Sequence, residues 1–277
     1  MRRLIVNADD LGISAPRTHG IFQCMEEGVV RSATLIVNMP DSLNAARRLN
    51  ERSIPAGLHI NLTEGSALTP EQDVHSLLDA RGYFMGRDRL DQAFDEGVVE
   101  KEHLEREIRT QIEWFLDNAD APTHCDSHHH IHVHPQVAPL LGPILNRYGI
   151  SAIRVPLEIM ERMAWEITPE RTAYIERIHE QARKAKPIFE SADLRTTDHF
   201  RGLALLGEAG AKRLRSLLTA LPEGTTELMV HPGACDPLGD DFSRDPQRET
   251  ERNMLLDPEL PGMLRSRGIE LMGYGDL

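Results

Sequence analysis

Two adjacent carboxylates close the first apolar run of the sequence. The run Leu4-Ile5-Val6 leads directly into Asn7-Ala8-Asp9-Asp10. Because side chains alternate along a strand, Asn7 and Asp9 share one face, while Asp10 points elsewhere unless the strand ends there. The two carboxylates are therefore suited to different tasks, and a positive partner is expected beside them. The structural alternative is a helix N-cap and turn formed by Asp-Asp-Leu-Gly.

The most specific chemical signal is a run rich in histidine. Six histidines lie in the segment 123–135, which reads THCDSHHHIHVHP. In an extended segment His124, Asp126 and His128 share a face. Imidazole and carboxylate donors at this spacing suit Zn²⁺ or another first-row divalent ion, and Asp126, His130 and His132 would then support the ligands or contact substrate. The alternative is a polar, histidine-rich surface loop.

Four further candidates belong to short apolar runs. His59 and Asn61 share a face of the run GLHIN, although a lone inward histidine is more often a hydrogen-bonded core residue than a ligand. Asn61 is a further candidate for contact with substrate. His231 ends the run ELMVH, and it is as readily structural as catalytic. Arg154 could orient a carboxylate through a bidentate pair, or it could lie on the surface beside a strand.

Strand-like and helix-like segments alternate along the chain. We predict strands at 4–9, 33–38, 57–61, 123–128, 152–155, 227–231 and 269–272, and helices near 16–27, 42–51, 102–118, 137–148 and 209–221. Such long crossovers make the strands parallel, in a (β/α) barrel or a doubly wound sheet. Seven strands favour the barrel, whose active site would lie at the carboxyl ends of the strands. Insertions at about 64–101 and 156–206 would cover that mouth of a single domain, 1–277.

Composition narrows the classes of partner. The chain has 277 residues, and its net charge of −13 without a basic block argues against nucleic acid. No apolar run approaches the ~20 residues that span a bilayer, so no stable membrane insertion is expected. Met1-Arg2-Arg3 leaves no room for a signal-peptide core, and three scattered cysteines fit a reducing compartment, so we expect a cytoplasmic protein. A homodimer is the default expectation for assembly.

Five blocks together resemble the YdjC family of carbohydrate deacetylases, which includes chitooligosaccharide deacetylases and the hopanoid-biosynthesis deacetylase. The blocks stand in the family's order over nearly the whole chain: VNADDLG at 6–12, GLHINLTEG at 57–65, DSHHHIH at 126–132, TDHF at 197–200 and ELMVHPG at 227–233. Leu11 departs from the Phe that is common in the family, and it carries no chemistry. The resemblance implies a distorted (β/α) barrel with one divalent ion, Zn²⁺ or Mg²⁺, held by Asp10, His59 and His128.

The implied reaction is hydrolysis of the N-acetyl group of an amino sugar. Asp9 would take the proton of the attacking water, His231 would protonate the departing amine, and Arg154 or Asp126 would hold the acid and base in register. The two aspartates could exchange roles. Tyr83, Phe84 and Trp165 lie in the insertions and could stack on a sugar ring. The alternatives are hydrolysis of another bond, such as a phosphoester or a cyclic amide, and sugar binding without turnover.

Overall fold

A parallel sheet forms the centre of the protein. The computed structural model describes residues 1–158, 168–205, 211–219 and 221–277. Its seven strands pair in the order β4-β3-β2-β1-β6-β5, with β7 also paired to β1, and every pairing is parallel. The strands are β1 Arg2–Leu11, β2 Ser32–Leu35, β3 Gly57–Ile60, β4 Cys125–Ser127, β5 His199–Arg201, β6 Gly224–Val230 and β7 Ile269–Leu271.

Helices surround this sheet. They are α1 Ala15–Glu26, α2 Ser42–Arg52, α3 Arg87–Asp95, α4 Lys101–Asn118, α5 Ala138–Arg147, α6 Pro169–Ser191, α7 Ala211–Thr219, α8 Asp241–Arg244, α9 Gln247–Leu255 and α10 Leu260–Ser266. Short 3-10 helices occupy Glu71–Asp73, His75–Leu77, His128–Val133 and Tyr274–Asp276. Among the described helices, none is long and apolar enough to cross a membrane. The predicted α/β architecture is confirmed, with the sheet curved into a half-barrel.

Short bridges connect the two edges of the half-barrel. Ile153 pairs with Cys125 of β4, and Glu158 pairs with Phe200 of β5, both in parallel. The predicted strand at 152–155 is therefore reduced to isolated bridges: Ile153 pairs with Cys125 and Ala152 pairs with Arg195, and neither pairing extends to a second residue. This arrangement is the distorted barrel that the sequence predicts.

Strand β5 was missed in the sequence, because it lies inside the predicted insertion 156–206. It has only three residues, His-Phe-Arg, and so lacks an apolar run or a readable alternation. The same stretch contains α6, whereas residues 159–167 lie outside the described part of the chain. The predicted helix at 209–221 corresponds to α7, with 206–210 and 220 also outside it.

The central strand β1, which contains Asp9 and Asp10, is buried on both faces. Leu4, Ile5, Val6 and Ala8 are each 0–1% exposed, as expected for a parallel strand covered by helices.

Close packing also fixes the loop after β6. A Cβ at Gly20 of α1 would lie 2.6 Å from the Cα of Gly233, so glycine at position 20 lets that loop lie directly against the helix.

Candidate metal centre and active-site pocket

A pocket of about 190 Å³ opens at the carboxyl ends of β1, β3, β4 and β6. Its acidic and imidazole lining comes from these strand ends and the loops that follow them, and its outer wall comes from both predicted insertions and α8. The lining includes Asp9, Asp10, His59, His128, His130, His231, Glu64, Arg87, Arg171, Tyr174 and Phe242. The position agrees with the general rule that parallel α/β sheets place their sites at the carboxyl ends of strands.

Three side chains from three strand ends converge at the bottom of the pocket. Oδ1 of Asp10 lies 3.0 Å from Nδ1 of His128 and 3.3 Å from Nε2 of His59. Tetrahedral ligands bound at ~2.0–2.2 Å stand about 3.3–3.6 Å apart, so a divalent ion fits with little movement. The other ring nitrogen of His128, Nε2, lies 3.4 Å from Oε2 of Glu64, so Nδ1 is the nitrogen that faces Asp10. Asp10, His59 and His128 therefore form a group that could hold a metal.

The backbone at Asp10 explains how two consecutive carboxylates face the same pocket. Asp10 has a φ of +66°, in the left-handed region, and the register of β1 with β2 is irregular between Ala8 and Leu11. His129 and His130, beside the third candidate ligand, also have positive φ values of 54° and 57°. Left-handed backbone at non-glycine residues is unfavourable and clusters at functional sites, so the chain is bent here to aim these side chains.

Neighbouring carboxylates orient the imidazole of His59. Asp126 is aligned with His59 across β3 and β4, and its Oδ1 lies 2.7 Å from Nδ1 of His59, which leaves Nε2 facing Asp10. Burial alone would lower the pKa of His59, but Asp126 and Asp10 outweigh it and raise the pKa to about 10. Such a carboxylate behind the ring is the usual support of a metal-binding histidine.

The environment of His128 repeats this pattern. Burial would lower its pKa, yet Asp10 and then Glu64 raise it to about 9. Burial acts on Asp10 in the opposite sense, and His128 and His59 hold its pKa well below the usual range. The carboxylates around the two imidazoles therefore favour positive charge at this point of the pocket.

Arg154 lies at the centre of a buried cluster of carboxylates. Its guanidinium donates to both oxygens of Asp9 at 2.6 and 2.7 Å, and it also lies 2.8 Å from Asp126 and 2.6 Å from Glu227. Tyr274 donates its hydroxyl to the other oxygen of Glu227. Burial raises the pKa of Asp9, although Arg154 opposes it, and the same two influences leave that of Glu227 at about 7. Arg154 therefore forms the predicted bidentate pair with a carboxylate, and that carboxylate belongs to Asp9.

His231 reaches the pocket from the end of β6. Its backbone N–H donates to Glu251 at 2.6 Å, and Arg248 donates to its carbonyl oxygen, whereas the buried Nδ1 has no hydrogen-bond partner. Burial lowers the pKa of His231 well below its usual range, against the opposing effect of Asp10. The imidazole is therefore neutral at neutral pH, with one ring nitrogen free for a ligand.

The four predicted substrate contacts occupy different places. Of these, His130 lines the pocket, whereas Asp126 is buried by its bonds to His59 and Arg154. Asn61 bonds to Asn38 and to the turn at 63–64, and His132 bonds to Ser127 and to the carbonyl oxygen of Arg154. The geometry thus favours direct contact for His130 and supporting roles for the other three, and substrate contact stays a prediction for all four.

Other sequence candidates lie away from the pocket lining. His124 stacks on Tyr274 and packs against Gly57, where an added Cβ would lie 2.3 Å from its ring. Phe84 is buried, and Tyr83 borders a separate surface cavity, while Trp165 lies outside the described residues. The aromatic walls of the pocket are instead Tyr174 and Phe242.

Sequence reasoning missed three charged side chains at the site. Arg17 of α1 is buried and donates to Oδ2 of Asp10 at 3.1 Å, which leaves Oδ1 for the two imidazoles. Glu64 lies 3.4 Å from Nε2 of His128, and Glu227 pairs with Arg154. Glu227 could have been found, because it is the only charged residue in the sequence of β6. Arg17 could not, because an arginine in a helix is usually exposed and nothing in the sequence of α1 indicates its burial.

Comparisons with known proteins identify the family and the fold of this chain. The model of the family described as YdjC-like protein matches residues 3–266. A Homo sapiens protein named carbohydrate deacetylase is 34% identical, over 99% of this chain and 91% of that protein. A Geobacillus stearothermophilus protein of the same name is 35% identical, over 99% and 97%. A crystal structure from Enterococcus faecalis V583, of a protein to which cellobiose-phosphate cleavage has been ascribed, shares the fold, with a TM-score of 0.81 at 24% identity over 99% and 98% of the two chains.

Proposed function

This chain belongs to the YdjC-like protein family, and from that premise we propose that it hydrolyses the N-acetyl group of an N-acetylated amino sugar, releasing acetate. The observation that carries the proposal is the convergence of Asp10, His59 and His128 beside the carboxylate of Asp9 in one pocket. Amide hydrolysis needs a water, a group that takes its proton and a proton for the leaving amine. This pocket offers residues for each requirement.

Asp10, His59 and His128 would hold one divalent ion. Bound there, such an ion supplies Lewis acidity, which lowers the pKa of water and polarises the acetyl carbonyl. Two imidazoles among the ligands favour Zn²⁺ over Mg²⁺, which prefers oxygen. Arg17 neutralises the second oxygen of Asp10, so this carboxylate offers one oxygen to the ion.

Asp9 takes the proton of the attacking water in this proposal. Its carboxylate lines the pocket beside Asp10, and its elevated pKa makes it a better proton acceptor than an exposed aspartate. Arg154 fixes both oxygens, and Asn7 donates to one of them at 2.8 Å, so the carboxylate cannot rotate. Arg154 is therefore a positioning residue.

His231 delivers a proton to the departing amine. Because the imidazole rests in its neutral form, it must first take up a proton from solvent, and the negative charge that develops on the acetyl oxygen raises its proton affinity. Asp9 returns the proton of the attacking water to solvent at the end of the cycle, so protons balance. Its free Nδ1 is the atom available for this exchange. The C–N bond then breaks as the amine nitrogen gains the proton, and acetate and the free amino sugar leave.

The pocket suits a short substrate. A cavity of about 190 Å³ has room for one sugar ring and its acetyl group, so we propose a short chitooligosaccharide or a glycolipid head group. Tyr174 and Phe242 offer aromatic faces, and sugar rings stack on such faces through their apolar C–H sides. His130, at the pocket wall, is the candidate for a contact with a sugar hydroxyl.

Acetate release tests the proposal directly. The purified protein, loaded with Zn²⁺ or Mg²⁺, should release acetate from a panel of N-acetylated sugars, including N-acetylglucosamine and its short oligomers. Removal of the ion with a chelator should abolish release, and its return should restore it. If the protein cleaves a phosphoester or a cyclic amide and releases no acetate, it is a hydrolase of another bond and this proposal is wrong. If it binds sugars without any turnover, it is a sugar-binding protein.

Metal binding is expected to depend steeply on pH. His59 and His128, with pKa values of about 10 and 9 in the metal-free protein, must lose their protons before both can bind an ion. The apparent affinity should therefore rise up to about 100-fold per pH unit between pH 7 and 9, with about two protons released per ion. Calorimetry in buffers of different ionisation enthalpy measures this release.

Asp126→Asn provides the comparison for this prediction. Loss of the carboxylate removes the main influence that raises the pKa of His59, so proton release should fall toward one. His19→Ala, on the exposed face of α1, should release as many protons as the unmodified protein. An affinity that does not change between pH 7 and 9 in all three proteins would contradict the proposed ligands.

A further inference from the structure

A second group of potential ligands lies outside the pocket, in the insertion at 64–101 and the start of α4. We propose that His75, Glu100 and His103 form a peripheral metal site that takes Zn²⁺ or an ion of similar chemistry. His75 begins the 3-10 helix His75–Leu77, Glu100 directly precedes α4, and His103 lies in the first turn of α4. One ligand atom from each lies within 4.8 Å of the others.

Both imidazoles turn the same ring nitrogen toward one carboxylate. Nε2 of His75 lies 3.3 Å from Oε1 of Glu100, and Nε2 of His103 lies 3.5 Å from Oε2. Two histidines and a glutamate are a known ligand set for Zn²⁺, with a fourth position left for water. His75 and Glu100 have side chains 62% and 51% exposed, so water has access to that position.

Hydrogen bonds behind the rings fix their orientation. Nδ1 of His75 lies 3.4 Å from the carbonyl oxygen of Gln72, which can only accept, so Nδ1 carries the hydrogen of the neutral ring. Nε2 then presents a lone pair to the carboxylate of Glu100, and two such acceptors repel each other unless a cation or a proton stands between them. Nδ1 of His103 lies 2.9 Å from the hydroxyl oxygen of Ser76, to which it donates when Nε2 binds an ion, and 3.4 Å from the backbone nitrogen of Ser76.

Ser76 ties the three ligands together. Its hydroxyl oxygen accepts from the backbone N–H of Glu100 at 3.0 Å while it bonds to the ring of His103. The rings of His75 and His103 also meet edge to face, with centroids 4.6 Å apart. These contacts hold the ring of His103 and the backbone of Glu100, so part of the entropy that ion binding would cost is already lost.

A bound ion would anchor the insertion from outside. The site joins the 3-10 helix at 75–77 to the start of α4, and α3 lies between these segments in the chain. The first residue of α3, Arg87, lines the active-site pocket. The role assigned to the ion is therefore structural: it holds the segment that forms one wall of the pocket.

Zinc stoichiometry tests the inference. Untagged protein, dialysed against buffered free Zn²⁺ and analysed by mass spectrometry of the metal, should contain two equivalents. His75→Ala and Glu100→Gln should each contain one, and Asp10→Ala should also contain one. The combined Asp10→Ala/His75→Ala protein should contain none. Zn²⁺ should raise the Tm of Asp10→Ala and leave that of the combined variant unchanged.

His19→Ala is the matched control, since His19 is exposed on α1 and belongs to none of the described ligand groups. It should keep both equivalents. If His75→Ala and Glu100→Gln bind as much Zn²⁺ as the unmodified protein, a proton alone holds the cluster together and the inference is wrong. These readouts count ions and do not depend on whether the protein releases acetate.

Discussion

Asp9→Asn is expected to lower kcat by about 10²–10⁴-fold, the range associated with loss of a general base, while the metal content stays unchanged. The amide keeps the shape of the side chain and an oxygen that can still accept from Arg154. It cannot take a proton from water. Because Asp10, His59 and His128 are untouched, their ion should remain bound, and the loss should appear in kcat rather than in KM. Acetate release and metal analysis on the same samples measure both quantities.

Asp10→Ala separates the roles of the two adjacent carboxylates. Removal of Oδ1 of Asp10, which both imidazoles approach within 3.3 Å, should abolish metal binding at the pocket and turnover together. The opposite pattern, in which Asp9→Asn loses the ion and Asp10→Ala keeps it, would show that the two aspartates exchange roles. Full turnover of Asp9→Asn would remove Asp9 from the reaction altogether.

The fold was predictable because parallel strands in an α/β protein are apolar on both faces. Strands β1 and β6 each contain a short apolar run, 4–6 and 228–230, and β1, β3 and β6 were each predicted close to their observed positions. Strand β5 was not, since three residues with polar ends carry no periodic signal. The segment at 152–155 has the composition of a strand, but it forms only single bridges, through Ala152 and Ile153, and Pro156 after it has no N–H with which to continue the pairing.

The group that could hold a metal was predictable from the sequence, and the residues that support it were less so. Asp10, His59 and His128 follow from motif positions, and the structure brings them together as a group that could hold a metal. The left-handed backbone of Asp10 has no signature in the run Asn-Ala-Asp-Asp, since it depends on the irregular pairing of β1 with β2. The contact of Arg17 with Asp10 could not be predicted either, because the burial of an arginine in a helix depends on which other elements pack over it.

Arg154→Met is expected to lower the free energy of unfolding by about 3–5 kcal/mol, the usual effect of removing one partner from a buried ion pair. The guanidinium is fully buried and contacts the carboxylates of Asp9, Asp126 and Glu227, which would be left together without a counter-charge. Methionine fills much of the volume, so the effect reports charge rather than a cavity. Urea unfolding of the metal-free proteins measures it.

The pH dependence of this loss identifies its cause. Without Arg154, burial and mutual repulsion should raise the pKa values of these carboxyls above those in the unfolded chain. The variant should then be least stable above neutral pH, and the loss should shrink as pH falls and protons neutralise the cluster. Arg195→Met is the control, since Arg195 is exposed and donates to Ser151, and it should change the free energy of unfolding by less than about 0.5 kcal/mol. A loss equal at pH 5 and pH 8 would point to packing rather than charge. The carboxylate cluster would then not need Arg154 to hold Asp9 in its ionised form.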